Sequence, residues 1–403
     1  MERIGLGEFF DAERLGGVPD TTHHPPPTTH YPLPTTHHPL PTIKAPRQSA
    51  TGAALEPTTH YSPSKSHRLN NNLRRITLLQ PFDTETLKKL VLQHVNATPD
   101  SLRFAPVRTG KHNASYWVES DRGRFVLRIA PPDDAGFLFY EQLMMRQEPG
   151  LHALIRARTT LPVAEILGHD FSRRHIDRDY LLMKALPGTP LSDLPHLTRS
   201  QQSRALRQIG QFLRQLHTLT ASDCLGHNAH GYLGEHRPMA PQTTWAAAFR
   251  LMWNMLLDDV VACGSYDTAE AQAMRDLLDA HLDHFDRPVT PRLLHMDVWA
   301  QNILLDKDGN VTGLVDFDRA LWGDVEIEFT VLDYCDISEP PFWEGYGTRR
   351  DESPSARIRR QFYLLYEIQK YMPIRIWRRN DPAGALRYKQ HSMALAAPLF
   401  PRG

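Results

Sequence analysis

Within Leu293 to Asp306, LLHMDVWAQNILLD, a carboxylate (Asp297) and an amide (Asn302) stand five apart in an otherwise apolar stretch. Downstream, the run VTGLVDFD brings Asp316 and Asp318. The segments NILLD and VTGLVDF are joined by KDGN, a turn sequence that closes hairpins. A hairpin folded there carries Asn302 in its first strand and Asp316 at the end of its second, so both reach the same end. Asp297 then lies on the loop just before it. An amide oxygen and a carboxylate converging at a strand end suit a hard, oxygen-seeking cation such as Mg²⁺. A further carboxylate outside the metal shell can take the proton of an attacking hydroxyl. Charge neutralisation by a metal and a base that orients the nucleophile are the parts phosphoryl transfer needs. A solvated turn is the plainer reading of an isolated H-x-D-x-x-x-x-N; the apolar hairpin and the D-F-D after it are what set that reading aside.

Such a site needs elements that hold a nucleotide beside it. DTETLKKLVLQHV (83–95) places Leu87, Leu90, Val91 and Val95 on one helical face, with Asp83 able to cap it. SLRFAPVRTGKHNASYWVES and RGRFVLRIAPP then alternate and are rich in Val, Phe, Tyr and Trp, which predicts strands. The turn RTGKHNAS between strands contains Gly110, Asn113 and Ser115 and can drape backbone amides over phosphates. Arg128, between Leu127 and Ile129, is either the exposed side of an edge strand or a phosphate-binding cation.

YEQLMMRQEPGLHALIRAR (140–158) reads as a helical region interrupted near Pro149, with Glu148 at the start of the part that continues to Arg158. Two more strands follow, the second breaking at Pro187-Gly188. Beyond them RALRQIGQFLRQLHTL, TWAAAFRLMWNMLLDDVVA and AEAQAMRDLLDAHLDHF have helical apolar spacing. His217, closing the first of these, reads as a packing or capping residue.

On His295-Met-Asp297-x-x-x-x-Asn302 and Asp316-Phe-Asp318 the chain resembles the aminoglycoside phosphotransferase family, which shares the protein kinase-like fold with choline and fructosamine kinases. The resemblance runs from about Ile76 to the C terminus. It implies an α+β, two-lobed protein kinase-like fold: a small antiparallel β-sheet lobe over 76–187 and a mainly helical lobe over 188–403. It implies ATP and Mg²⁺ as cofactors and a small-molecule hydroxyl as acceptor. Asp297 would be the catalytic base, with Asn302 and Asp316 holding the magnesium. Glu148 would pair with Arg128, which contacts the nucleotide phosphates. The hinge would offer backbone groups of Lys184 and Leu186 to adenine, with Met183 beneath, while Asp318 organises the metal-site loop and His295 buttresses the catalytic loop. Two positions depart from the family pattern: lysine is usual where Arg128 stands, and glycine is frequent where Met296 stands. A nucleotide-binding scaffold without turnover is the rival class, and the joint presence of Asp297, Asn302, Asp316 and Glu148 favours the enzyme.

The acceptor is less legible. HMDVWAQN, with Trp299, and FWEGYG resemble the fructosamine kinase branch, whereas PQTTWAAAF and GDVEIEF are closer to the hygromycin kinases. The segment 349–379 carries nine Lys/Arg against three Asp/Glu, which argues against a polycationic acceptor unless these residues form an ordinary basic helix face.

The 403 residues suffice for two domains, and a formal net charge of +0 excludes a global pull toward nucleic acid or an anionic membrane. The three cysteines are dispersed and form no CxxC pair, so they read as free thiols. The N-terminal segment has no apolar run of signal-peptide length, and no stretch matches a membrane helix. A cytoplasmic protein is expected. Residues 21–41 are three tandem seven-residue units, TTHHPPP, TTHYPLP and TTHHPLP, echoed at 58–64. Proline at this density lacks ladder donors and the apolar content is low, so 1–75 is expected to be a disordered arm. Deleting residues 1–75 should leave the melting temperature and ATP turnover of the remainder unchanged; loss of either would give the arm a part in the enzyme.

Overall fold

The computed structural model describes residues 82–107, 112–134, 136–194 and 196–400. The expected arm over 1–75 and the candidate Gly110 lie outside the described residues.

Helix α1 (Thr84–Leu92) forms over the expected Leu87, Leu90 and Val91 but stops before Val95, and Asp83 caps it by accepting from the Thr86 N–H at 2.8 Å. Its Leu87, Leu90 and Val91 are buried against a five-stranded antiparallel sheet. The strands are β1 (Arg103–Pro106), β2 (Ala114–Ser120), β3 (Gly123–Ile129), β4 (Ile166–Asp170) and β5 (Tyr180–Lys184), in the order β1-β2-β3-β5-β4. Side chains alternate across a strand. Phe125, Leu127 and Ile129 of β3 therefore share the α1 core with Tyr116, Val118, Tyr180 and Leu182. Val126 and Arg128 take the other face, in register with Met183 and Leu181 of β5. Since β3 is the central strand and Arg128 is only 8% exposed, the edge-strand reading of this arginine is excluded.

Between β3 and β4 runs helix α2 (Glu148–Arg158), which begins at Glu148 as expected. The preceding Tyr140–Gln147 is not helical. It forms turns and a 3₁₀ segment (Met144–Gln147), with Leu143 at φ 57°. Pro149 explains the break: its ring blocks the carbonyl four residues earlier, so a helix can start there but not pass through.

After the hinge a short strand β6 (Thr189–Pro190) leads to helix α3 (Arg199–Leu216). The helix starts earlier than its apolar spacing suggests because Thr198 and Gln201 form a reciprocal capping box, and it ends at the C-cap His217. Helices α4 (Ala221–Leu225), α5 (Trp245–Ala262) and α6 (Thr268–Asp279) follow. Three short strands then carry the motif region: β7 (Arg292–Leu294), β8 (Ile303–Leu305) and β9 (Val311–Leu314). Strand β10 (Leu321–Gly323) pairs with β7, while β6, β8 and β9 form a separate small sheet. Helices α7 (Val325–Tyr334), α8 (Pro340–Tyr346), α9 (Pro354–Gln369), α10 (Tyr371–Arg379) and α11 (Pro382–Ala396) complete the described chain.

The result is an α+β molecule with a small sheet lobe and a mainly helical lobe. One core cluster ties them at the motif region: Leu151 and Ile155 of α2 pack with Leu206, Ile209 and Leu213 of α3 and with Ile303, Leu305 and Leu314 of the hairpin. The helix that carries Glu148 is thus docked on the hairpin that carries Asn302. No helix among the described residues is long and apolar enough to cross a membrane.

Candidate active site

Arg128 stands at the centre of a buried charge cluster. Its Nη1 donates to Glu148 Oε2 at 2.5 Å. Its Nη2 donates to Asp316 Oδ1 at 2.6 Å and to Asp318 Oδ2 at 3.3 Å. Glu148 is fully buried, and its Oε1 has no hydrogen-bond partner. Burial opposes the guanidinium's charge, but Glu148, Asp316 and Asp318 more than offset it and hold its pKa above the ordinary value. Burial, with Asp316 adding to it, pushes the Asp318 carboxyl well up despite Arg128. Burial likewise keeps Glu148 above its ordinary value against the pull of Arg128. From the strand lobe, Asn113 Nδ2 reaches Asp318 Oδ2 at 3.5 Å, and Ser115 lies opposite Arg128 across β2–β3. Gln147 Nε2 donates to the Asp318 carbonyl oxygen at 2.5 Å.

The motif loop converges on the same place. The Val315 N–H donates to the Asn302 carbonyl oxygen at 3.0 Å, so Asn302 and Asp316 do share one end of the β8–β9 hairpin. Asn302 Nδ2 donates to both the backbone oxygen and Oδ2 of Asp297, each at 2.9 Å. The other carboxylate oxygen, Oδ1, accepts from Arg319 Nη1 at 3.0 Å. Burial alone would raise the Asp297 carboxyl, but Arg319 and Lys370 outweigh it and hold it below its ordinary value. Asp316 adopts a left-handed backbone, φ 74° and ψ 63°, which turns its side chain toward Arg128 at the strand's end.

His295 Nε2 lies 3.1 Å from the Val315 carbonyl oxygen and its Nδ1 accepts from the Asp297 N–H at 3.2 Å, the buttress expected of it. Beneath the loop, Glu328 of α7 accepts at Oε1 from the backbone N–H groups of His295 (2.8 Å) and Met296 (2.7 Å). Its Oε2 lies 2.6 Å from His217 Nε2, and His217 Nδ1 lies 2.8 Å from the Tyr346 hydroxyl. Burial opposes ionisation of Glu328, but His217 and the loop amides prevail and lower its pKa.

At the hinge, Met183 is buried with Met145, Ala164 and Leu181, and Leu186 and Val126 pack against them. The Lys184 N–H is already donated to the Glu165 carbonyl oxygen at 2.9 Å, so the backbone group Lys184 can offer a base is its carbonyl.

Among the described residues no group of three or more His, Cys, Asp or Glu is arranged to hold a metal ion. Asn302 and Asp316 would supply two oxygen donors. That small set fits Mg²⁺, which completes its octahedron with water and phosphate oxygens rather than with a protein cage.

Residues 103–384 match the model of a family described as "Phosphotransferase enzyme family". The chain belongs to that family. It is 25% identical over 250 residues to hygromycin-B 4-O-kinase of Escherichia coli, a match covering 60% of this chain and 64% of that protein, just under two thirds of its length. It is 26% identical over 220 residues to a Vibrio cholerae protein named "Probable ketoamine kinase", covering 53% of this chain and 69% of that one. Among solved structures, a thermostable mutant of aminoglycoside phosphotransferase APH(4)-Ia in a ternary complex with AMP-PNP and hygromycin B superposes with a TM-score of 0.53 at 19% identity. That superposition covers 77% of this chain and 98% of the other. The likeness identifies the fold as the two-lobed, kinase-like one.

Five residues of this site were not singled out by type and spacing. Arg319 and Gln147 look like ordinary polar positions, and Glu367 and Lys370 belong to a segment readable as a basic helix face. Glu328 did leave a signal, a carboxylate inside the apolar helix VEIEFTVLDY, where an unpaired charge would be costly. His217 proves to be more than a cap, since it closes the Glu328 network.

Met296 settles at φ 66°, the left-handed region where glycine is easiest, yet its side chain is fully buried in the helical core. The strain of such a backbone is about 1–2 kcal/mol, whereas removing a buried methionine side chain costs about 2–5 kcal/mol. Met296→Gly should therefore destabilise the protein by about 1–3 kcal/mol in denaturant unfolding; a gain in stability would show that strain dominates.

Proposed function

We propose that this phosphotransferase is an ATP- and Mg²⁺-dependent kinase that moves the γ-phosphoryl group to a hydroxyl of a small molecule. The observation that carries the reading is the state of Asp297. Both of its carboxylate oxygens are oriented, by Asn302 and Arg319, beside the Arg128–Glu148–Asp316 cluster. A scaffold that only bound nucleotide would have no use for a carboxylate held ionised and aimed in this way. The hygromycin kinase and ketoamine kinase relatives support small-molecule acceptors as a class.

Arg128 binds the phosphates, positioned by Glu148, and Asn113 and Ser115 lie on the hairpin that covers them. The Lys184 carbonyl and the Leu186 N–H receive the adenine edge over Met183. Asn302 and Asp316 hold the magnesium, which when bound neutralises charge on the phosphate oxygens. Asp297 accepts the hydrogen bond of the acceptor hydroxyl, aims its oxygen at the γ-phosphorus and takes its proton as the new P–O bond forms and the bond from that phosphorus to the departing ADP breaks. We place the lobe boundary at 187/188, so that the hinge joins a nucleotide-binding 76–187 to an acceptor-binding 188–403.

Asp297→Asn keeps the shape and its contact with Asn302 but removes the base. Turnover, read as ADP release, should fall by about a hundredfold or more, while Mg²⁺-dependent ATP binding, read by calorimetry, persists. Undiminished turnover would remove Asp297 from the chemistry, and absence of ATP binding by the native protein would end the kinase reading. The base works as the carboxylate, and its lowered pKa keeps that form populated into acid. The acid limb of kcat/KM should accordingly lie below the ordinary aspartate range. Arg319→Gln removes the cation that lowers the pKa, so in any residual activity the limb should move to higher pH; an unmoved limb would contradict the coupling.

A further inference from the structure

The two oxygens of Asp297 face different surroundings. Oδ2 meets Asn302, on the side of Asp316 and Arg128. Oδ1 meets Arg319, and from there charges alternate away from the metal-type donors. Arg319 Nη2 donates to Glu367 Oε2 at 3.2 Å, and Glu367 Oε1 is closed by Lys370 Nζ. All three side chains of this string are nearly sealed from solvent, at 8%, 2% and 6% exposure.

In-line transfer places the attacking oxygen opposite the leaving oxygen. With the nucleotide phosphates at Arg128 and Asp316, the acceptor reaches Asp297 over the Arg319–Glu367–Lys370 side. This step rests on the kinase reading above. Each carboxylate on that side is already matched by a cation of the chain: Asp297 by Arg319, and Glu367 by Arg319 and Lys370. An ammonium group entering there would face two fixed positive charges. It could pair with Glu367 only by displacing Lys370, leaving a buried ammonium without its counter-ion, a costly arrangement. A neutral hydroxyl meets no such barrier, whereas a carboxylate would face Asp297 and Glu367 and could pair with Lys370 only by displacing Glu367. Other cations nearby are engaged elsewhere, Arg375 with Asp381 and Arg378 with Glu141, so the selection falls to the Lys370 end of the string.

We propose that the acceptor is a neutral polyol, such as a sugar or alditol, with no charged group beside the reacting hydroxyl, and that Lys370 is the specificity-determining residue. The test uses the full chain with ATP and Mg²⁺ and reads ADP release. The panel presents aldose, ketose and alditol skeletons, each in neutral, amine-bearing and acid-bearing form (for example D-glucose, D-glucosamine and D-gluconate), with kanamycin as the polycation. A neutral member should have the highest kcat/KM, and the amine-bearing and acid-bearing forms of its skeleton should each be about tenfold lower or worse, the scale of a like-charge encounter in a partly buried site. Lys370→Met should shift the ratio of amine to neutral acceptor toward the amine by about fivefold. A purely structural lysine would lower all members together and leave that ratio unchanged, which would overturn its assignment. An amine-bearing or acid-bearing member turned over best by the native protein would overturn the inference while leaving the kinase reading intact. No ADP release with any member would overturn both.

Discussion

The guanidinium of Arg128 is the interaction on which the arrangement of the site depends. It rises from the central strand of the small sheet, takes Glu148 of α2 with one nitrogen, and takes Asp316 and Asp318 beyond the hairpin with the other. One side chain therefore joins the strand lobe, the helix between the lobes and the motif loop. A single ammonium nitrogen is a compact point charge, whereas the planar fork of arginine spans partners that lie apart. That difference gives a physical meaning to arginine at a position where the family usually has lysine. Burying the cluster is costly, and it is tolerated because three carboxyl groups share the one guanidinium.

A second buried group does for the backbone what Arg128 does for the side chains. The motif loop has little regular structure of its own, and Met296 is held at a left-handed φ. Two loop amides that no strand or helix satisfies are taken by Glu328, itself fixed by His217 from the end of α3. Buried amides left unmade would each cost about 1–3 kcal/mol. Asp297 thus owes its orientation to residues at three remote positions: Glu328 through the loop backbone, and Asn302 and Arg319 through its own oxygens.

Family membership and site geometry answer different questions. The sheet lobe, the docked helix and the hairpin are features of a fold that hosts acceptors of several kinds, so they define the transfer but not its recipient. What is particular to this chain is an alternating, internally neutralised string of charges running from Asp297 to Lys370.

The elements of this fold were legible in the sequence because local rules govern them. The Asp83 cap, the alternation along β3, the KDGN hairpin and the start of α2 at Glu148 follow from short-range patterns, and the structure forms each of them. The spacing from Asp297 to Asn302, and on to Asp316, likewise placed the last two at one hairpin end, because cross-strand register is set by the turn. Where local signals compete the reading failed: Tyr140–Gln147 has helical composition, but Pro149 prevents the helix from passing through. Tertiary structure alone decided whether Arg128 faced water or a buried cluster, and that His217 is a member of a network rather than a cap. It alone linked Arg319, Glu367 and Lys370 to Asp297. Arg319 lies far along the chain from Glu367 and Lys370, which stand one helical turn apart, and a charge finds a distant partner through packing of whole elements, which no local pattern encodes.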